Sequence, residues 1–458
     1  MNISEIHNVY FLGIGGIGMS AIARYYNTIG KNVAGYDKVS KTLTDELISE
    51  GIQIHFEDDV SNIPNEFKNK ENSLIIYTPA IPKTHKELNF FINQGFEIKK
   101  RSEVLGMLSK EKKCIAVAGT HGKTTITTMI AHLMRQSRIG CSAFLGGISK
   151  NYNTNYLVDI ESKYVVVEAD EFDKSFLKLN PQKAIITSVD ADHLDIYSDE
   201  NDLKDAFKQF TDRINPGGKL LIKAGLDIVI PQRNDIEIYT YSLKSQSDFR
   251  ADKIRIEDGL YVFDFIGIKG TIENLKLGSP GLLNVENAVA AIAMASMSGV
   301  HNDEIFNSLC KFKGIQRRFD YQIHRDDFVF IDDYAHHPEE LKASIRSAKE
   351  LFKNKKITGI FQPHLYSRTR DFTEGFAESL ELLDEIILLD IYPAREEPIK
   401  GITSEIIFNK IKNQNKTICT KAELINELKN KKPEVLMTLG AGDIDELVEP
   451  IKRLYNKD

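Results

Sequence analysis

The chain has 458 residues, of which 42% are hydrophobic and 27% charged, and a formal net charge of -7. This length accommodates roughly two to four domains with cores of their own, and the composition is that of an ordinary soluble globular protein. The acidic balance argues against non-specific nucleic-acid binding, which needs a basic surface. The apolar stretch from Val9 is broken by glycines and too short to cross a bilayer. Glu5 and the lack of an early lysine leave no charged start for a signal peptide. Cys114, Cys141, Cys310 and Cys419 lie far apart with no C-x-x-C pair, which predicts reduced, mostly buried thiols in the cytoplasm.

Val9 to Leu12 reads as a short strand, and Met19 to Tyr26 has helical apolar spacing. Between them Gly13, Gly15 and Gly18 fit G-x-G-x-x-G. The next strand, Asn32 to Tyr36, ends in Asp37, where a carboxylate usually bonds a ribose hydroxyl. Alone, this set predicts a dinucleotide domain with NAD as the default ligand, and tight packing at the glycines would give the same pattern. Leu74 to Tyr77 is a further strand ending in Thr78-Pro79-Ala80, and a helix from Ser102 to Leu108 leads to a boundary near residue 110.

The next stretch organises the chain. Cys114 to Ala118 is an apolar strand, and the run through Ile126, Met129, Ile130 and Leu133 is helical. The loop between them is Gly119-Thr120-His121-Gly122-Lys123-Thr124-Thr125. Glycines let backbone N–H groups close around phosphate oxygens, and the helix start adds its dipole. Lys123 can reach the β/γ-phosphates and the Thr124 hydroxyl can hold Mg²⁺. Val117 stands where the full P-loop has its first glycine, so this is a shortened relative of that loop.

Tyr164 to Val167 is a continuous apolar strand, as in a sheet covered on both faces, and it delivers Glu168-Ala169-Asp170-Glu171-Phe172-Asp173. Ala184 to Val189 ends in Asp190-Ala191-Asp192-His193-Leu194-Asp195. Carboxylates and a histidine at matching strand ends face the crevice where α/β sheets bind ligands; a solvated acidic turn and a structural histidine are the alternative. Residues 218–265 read as shorter strands and turns without assignable chemistry. Gly281 to Met297 is a small-residue helix with Asn284 and Asn287 on one face. Gly314 to Asp320 reads as a hinge carrying guanidinium groups, and Phe328 to Ile331 opens a third α/β unit ending in Asp332-Asp333-Tyr334-Ala335-His336-His337. The paired histidines raise zinc, but no further ligands follow at a normal spacing. Ile357 to Phe361, Glu385 to Leu389 and Glu434 to Leu439 complete a parallel set, so the chain is expected to hold three α/β units in sequence.

Read together, GIGGIGM, AGTHGKTT, EADEFDKSF, DADHLD, the asparagine pair, GIQRRFD, DDYAHHPEE and FQPHLYSRTRDF resemble the Mur ligase family from Gly13 to the C-terminus. Each motif is weak or moderate, while their order is specific. HLYSRTRD points to the branch that adds alanine, with the murein tripeptide recycling ligases as the alternative. The resemblance implies an N-terminal Rossmann-like domain for the UDP-sugar over residues 1–109. It implies a central ATP-binding domain with a P-loop ATPase-type parallel sheet over 110–319, and a C-terminal Rossmann-like lid bringing the amino acid over 320–458. The implied activity joins L-alanine to the carboxylate of UDP-N-acetylmuramate with ATP and Mg²⁺, through an acyl phosphate, in peptidoglycan precursor synthesis. The implied protein is a cytoplasmic monomer or weak homodimer with no nucleic-acid partner and no membrane insertion.

The same resemblance assigns the residues. Gly119, Thr120, His121, Gly122, Lys123, Thr124 and Thr125 hold the ATP phosphates, with Lys123 catalytic, and Thr124, Glu168 and His193 hold Mg²⁺. Asn284 and Asn287 contact adenine, Arg318 a phosphate and Asp333 the ATP ribose. Gly15, Gly16 and Gly18 lie under the UDP diphosphate and Asp37 on the uridine side, while His336, His364 and Arg368 lie near the reacting end. Leu283 stands where many members have histidine, and Phe172 where many have serine.

Overall fold

A computed structural model describes residues 6–190, 197, 199–228, 230, 233–243, 246–394, 396–429 and 431–456. Its strands form three sheets. The first contains β1 (Asn8–Leu12), β2 (Asn32–Tyr36), β3 (Gln53–His55), β4 (Ser73–Tyr77) and β5 (Glu97–Lys100) in the order β3-β2-β1-β4-β5. All its pairings are parallel. Every residue of β1 is buried, as an apolar run covered on both faces requires. The order reverses beside β1, and in such sheets the crevice at the strand ends there takes the ligand.

The second sheet comprises β6 (Lys113–Ala118), β7 (Ser142–Ser149), β8 (Thr154–Leu157), β9 (Tyr164–Glu168), β10 (Lys183–Ile186), β11 (Lys219–Lys223), β12 (Glu237–Ser242), β13 (Phe249–Glu257), β14 (Leu260–Gly267) and β15 (Gly270–Lys276). Its order is β15-β14-β13-β12-β11-β10-β6-β9-β7-β8. β6 pairs in parallel with both β9 and β10, while β7 and β8 form an antiparallel hairpin. Residues 249–276 hold three strands with no helix between them, which the polar, weakly alternating sequence there did not specify.

The third sheet holds β16 (Asp320–His324), β17 (Val329–Asp333), β18 (Ile357–Phe361), β19 (Glu385–Leu388), β20 (Lys416–Ile418) and β21 (Val435–Leu439) in the order β16-β17-β21-β18-β19-β20. Only β16 runs antiparallel, at the edge. The architecture is therefore three α/β sheets in sequence, as the motif order predicts.

By density of contact the chain divides into two compact units. One is residues 1–253, 263–275 and 286–312; the other is 254–262, 276–285 and 313–458. Within the first unit the core continues from the first sheet into the second. Helix Ile17–Thr28 packs Tyr25 and Tyr26 towards Phe144 of β7 and Tyr156 of β8, with Tyr25 5.9 Å from Phe144 and 6.3 Å from Tyr156 between ring centres. Each such buried ring contributes about 1.5–3 kcal/mol. Arg24 of that helix donates to Asn155 Oδ1 at 2.8 Å and pairs with Glu46 and Glu50. Asn155 in turn donates to Ser20 Oγ at 3.0 Å, so a satisfied polar joint fixes the helix to β8.

Candidate active site

Gly13 follows β1 in the left-handed region (φ 87°), which favours glycine, and the helix beginning at Ile17 points its first N–H groups at the turn. Gly15 N–H donates to Asp37 Oδ2 at 2.7 Å, so the Asp37 carboxylate is committed to the loop's own backbone. Gly16 and Gly18 line a cleft of about 310 Å³ together with Thr78, Arg101, Glu168 and Asp170. The first and second sheets thus meet across one opening, with the glycine loop on one wall and the end of β9 on the other.

The loop after β6 is built to hold a shape. Gly119 (φ 134°) and Gly122 (φ 79°) both use glycine-only backbone, and Gly122 caps the helix Lys123–Arg135. Thr187 and Ser188, just beyond β10, fasten the loop: Ser188 Oγ accepts from His121 N–H at 2.8 Å and Thr187 Oγ1 donates to the His121 carbonyl at 2.5 Å. Thr120 Oγ1 bonds Ser188 Oγ at 2.9 Å. A side chain on Gly119 would strike Thr187, and one on Gly122 would lie 3.1 Å from Asn287 Oδ1, so Asn287 borders the loop itself. Asn284 donates to the Pro280 carbonyl at 2.6 Å and to Ser279.

Lys123 donates to the Gly119 carbonyl at 2.7 Å and to Glu171 Oε1 at 2.8 Å, with Glu171 fully buried. Burial alone would lower the lysine's pKa, but Glu171, Asp170 and Glu168 outweigh it and raise the pKa, so the ammonium stays charged. Glu168 packs against Gly146 of β7, where any side chain would collide with its carboxylate. β9 and β10 are not neighbours; they flank β6, so the phosphate loop lies between the two strand ends. His193 lies outside the described residues. Among the described residues no cluster of three or more His, Cys, Asp or Glu forms a ready-made metal cage. Mg²⁺ is typically held by one or two carboxylates with waters and substrate phosphates, and the oxygens of Thr124 and Glu168 fit that donor set.

In the second unit Arg318 sits between Arg317 (φ 61°) and Phe319 (φ 45°), two non-glycine residues in the left-handed region. Such strain persists where surrounding contacts over-determine it. Arg317 donates to the carbonyls of Gly440 (2.9 Å) and Gly442 (3.1 Å) and pairs with Asp445 at 3.0 Å. Arg318 lies over the Tyr334 ring at 4.9 Å, with Glu340 3.9 Å away. Asp333, at the end of β17, is buried and accepts from Ser344 Oγ; burial raises its pKa. His336 Nδ1–H donates to the Tyr334 carbonyl (2.9 Å), and its ring stands 6.0 Å from that of His364. Burial pushes the His336 pKa down to about 4; nearby Glu340 opposes this, while Arg368 and Arg318 reinforce it. His364 stacks on Tyr392 at 5.7 Å, and Leu365 (φ 70°) turns the chain into the short helix Tyr366–Asp371 that carries Arg368. Arg101, Gly146, Glu171, Thr187, Ser188, Tyr334 and Glu340 are the site-lining residues that the sequence reading did not single out. Only Arg101, the last of the cationic run Lys99-Lys100-Arg101 at a helix start, left a local signal.

The chain matches three family descriptions in succession. These are "Mur ligase family, catalytic domain" over residues 8–113, "Mur ligase middle domain" over 117–295 and "Mur ligase, glutamate ligase domain" over 317–442. It is 50% identical over 458 residues to the UDP-N-acetylmuramate--L-alanine ligase of Phocaeicola vulgatus, covering 100% of each chain. It is 51% identical over 447 residues to the protein of the same name from Porphyromonas gingivalis, covering 97% of this chain and 98% of the other. Among solved structures it is similar to the UDP-N-acetylmuramate-alanine ligase of Thermotoga maritima. There the TM-score is 0.82 at 28% identity, covering 98% of this chain and 99% of the other. A murein peptide ligase from Psychrobacter arcticus shares the fold, with a TM-score of 0.69 at 22% identity and 99% coverage of both.

Proposed function

We propose, for a chain that belongs to the Mur ligase family, that it joins L-alanine to the carboxylate of UDP-N-acetylmuramate at the expense of ATP, as the names of its relatives state for them. It is an ATP-dependent ligase of peptidoglycan precursor synthesis. The observation that carries the reading is the cleft in which a nucleotide-sugar glycine loop faces Glu168 and Asp170, beside a preorganised phosphate loop. Full-length identity to alanine ligases favours this reading over tripeptide recycling, for which the likeness is one of fold. No described helix is long and apolar enough to cross a membrane.

We assign residues 1–109 to the UDP-sugar, 110–319 to ATP and 320–458 to the amino acid. Lys123 and Arg318 neutralise the transferring phosphoryl group, for which catalysis is mainly positioning and charge. Thr124 and Glu168 would hold Mg²⁺, with His193 as a further ligand; the ion supplies charge neutralisation on the ATP phosphates. Asn284, Asn287 and Asp333 take the nucleoside, and the loop from Gly119 to Thr125 takes its phosphates. Gly15, Gly16 and Gly18 carry the sugar diphosphate. Asp37 shapes that loop through the Gly15 N–H and lies on the uridine side. His364 and Arg368 receive alanine, Arg368 through its carboxylate, and neutral His336 stands beside them.

The γ-phosphoryl group passes to a muramyl carboxylate oxygen, giving an acyl phosphate and ADP. The alanine amine then attacks the carbonyl carbon, loses a proton and expels phosphate. No activated nucleophile beside a base is found at the described cleft, which disfavours an acyl-enzyme. The protein works in the cytoplasm as a monomer or weak homodimer. Labelling the muramyl carboxylate with heavy oxygen tests the chemistry: one labelled atom is expected in the released phosphate per peptide bond. Label-free phosphate, or label in AMP, would overturn it.

A further inference from the structure

We propose that Arg101 binds the diphosphate of the nucleotide-sugar substrate, a contact that rests on the function proposed above and extends it. Arg101 opens the helix Arg101–Glu111, the end at which a cation opposes the helix dipole. Among the described residues no hydrogen bond or ion pair holds its guanidinium, although the side chain is half-buried. The helix start is already served by Glu103, which accepts from the Lys100 N–H at 2.8 Å, so the helix itself gives Arg101 no role there.

The surroundings name the compensating group. Arg101 lines the cleft of about 310 Å³ together with Gly16 and Gly18. Its guanidinium lies so close to Gly18 that a side chain there would collide with it and come within 3.1 Å of Arg101 Cδ. Gly18 therefore does two jobs: it leaves the helix start bare and makes room for the arginine. A fixed fork of N–H donors beside a glycine-rich helix start is complementary to a diphosphate, whose two tetrahedral phosphates each carry one negative charge. Glu168 and Asp170 on the other wall give the opening a second, acidic side, so charge is sorted across it. A diphosphate on the Gly16–Gly18 side satisfies Arg101 and leaves the Glu168 side free for the ATP-derived groups.

Calorimetry on the full chain with UDP and with uridine separates this from a packing role. Arg101→Ala is expected to weaken UDP binding roughly 10- to 100-fold, the scale of a lost charge-assisted hydrogen bond. Uridine affinity and ATP affinity should stay within about twofold of wild type. Arg101→Lys, which keeps charge and stem but loses the fork, should fall between and serves if the alanine variant folds poorly. Equal UDP affinity in wild type and both variants would overturn the proposal, as would an equal loss for UDP and uridine. If wild type binds neither UDP nor UDP-N-acetylmuramate, the function proposed above falls with it; if wild type binds both and the variants match it, only the role of Arg101 falls.

Discussion

Lys123 of the phosphate loop and Glu171 beyond β9 form a buried ion pair at 2.8 Å, so removing Lys123 has two effects that can be told apart. On the role proposed for it, Lys123 is a donor to the transferring phosphate, and Lys123→Ala should lower turnover by roughly 10²–10³. It also strands the buried Glu171 carboxylate, and breaking one side of such a pair costs about 3–5 kcal/mol. Adding Glu171→Gln should return most of the stability in denaturant titration and none of the turnover; recovery of both would place Lys123 outside the chemistry. His336 offers a second residue-scale test. Its pKa is depressed to about 4 in the folded protein, so its contribution to stability is present above the unfolded histidine value of about 6.5 and is lost as pH falls through 4. Ring-proton NMR should show His336 neutral at pH 5.5, and a midpoint near 6.5 would contradict the buried, arginine-flanked environment described here.

At the scale of elements, β1 and β3 carry a titratable cluster away from the cleft. Tyr10 donates to Glu87 at 2.8 Å and contacts His55 at 2.6 Å, while Asp58 lies 3.1 Å from His85. Burial pushes the Glu87 pKa up to about 7, the Tyr10 hydrogen bond opposes this, and Asp58 adds to it. A raised acid pKa gives stability that is complete below the unfolded value near 4.5 and is lost as pH rises through 7. His55 and His85, both lowered by burial, act oppositely and lose stability as pH falls below 6.5. Glu87→Gln should therefore be more stable than wild type at pH 8 and lose that advantage at pH 5, read by urea titration at each pH. The elements themselves were legible where periodicity was strong: β1, β6, β9, β17 and β18 fall where apolar runs place them. Reading the helix before β6 from Ser102 missed Arg101, because a helix start does not reveal what its first side chain faces. Glu171 reads as part of a carboxylate run at the ligand crevice, but its burial is not legible there, since that depends on a lysine 48 positions earlier. The placement of β6 between β9 and β10 is a long-range pairing that no local pattern encodes.

On the scale of the whole molecule, the two compact units have separate cores, such as the clusters around Ile76 and Val167 in one and around Ile331 and Phe376 in the other. Chains of this kind depart from two-state unfolding. Calorimetry should resolve two transitions, and UDP-N-acetylmuramate, which binds the first unit on this reading, should raise only one of them by mass action. A single transition with equal calorimetric and van't Hoff enthalpies would show the units to be thermodynamically one. The distribution of thiols has a practical consequence for watching those units at work. Cys114 and Cys141 are fully buried, and burial pushes Cys419, itself half-covered, up to about 11, so none of the three offers much thiolate at neutral pH. Cys310 alone is exposed, three residues before the second unit resumes at residue 313. The unmodified chain thus brings its own attachment point: one maleimide dye per molecule, placed close in sequence to residues 314–320, with no cysteine to remove and none to add.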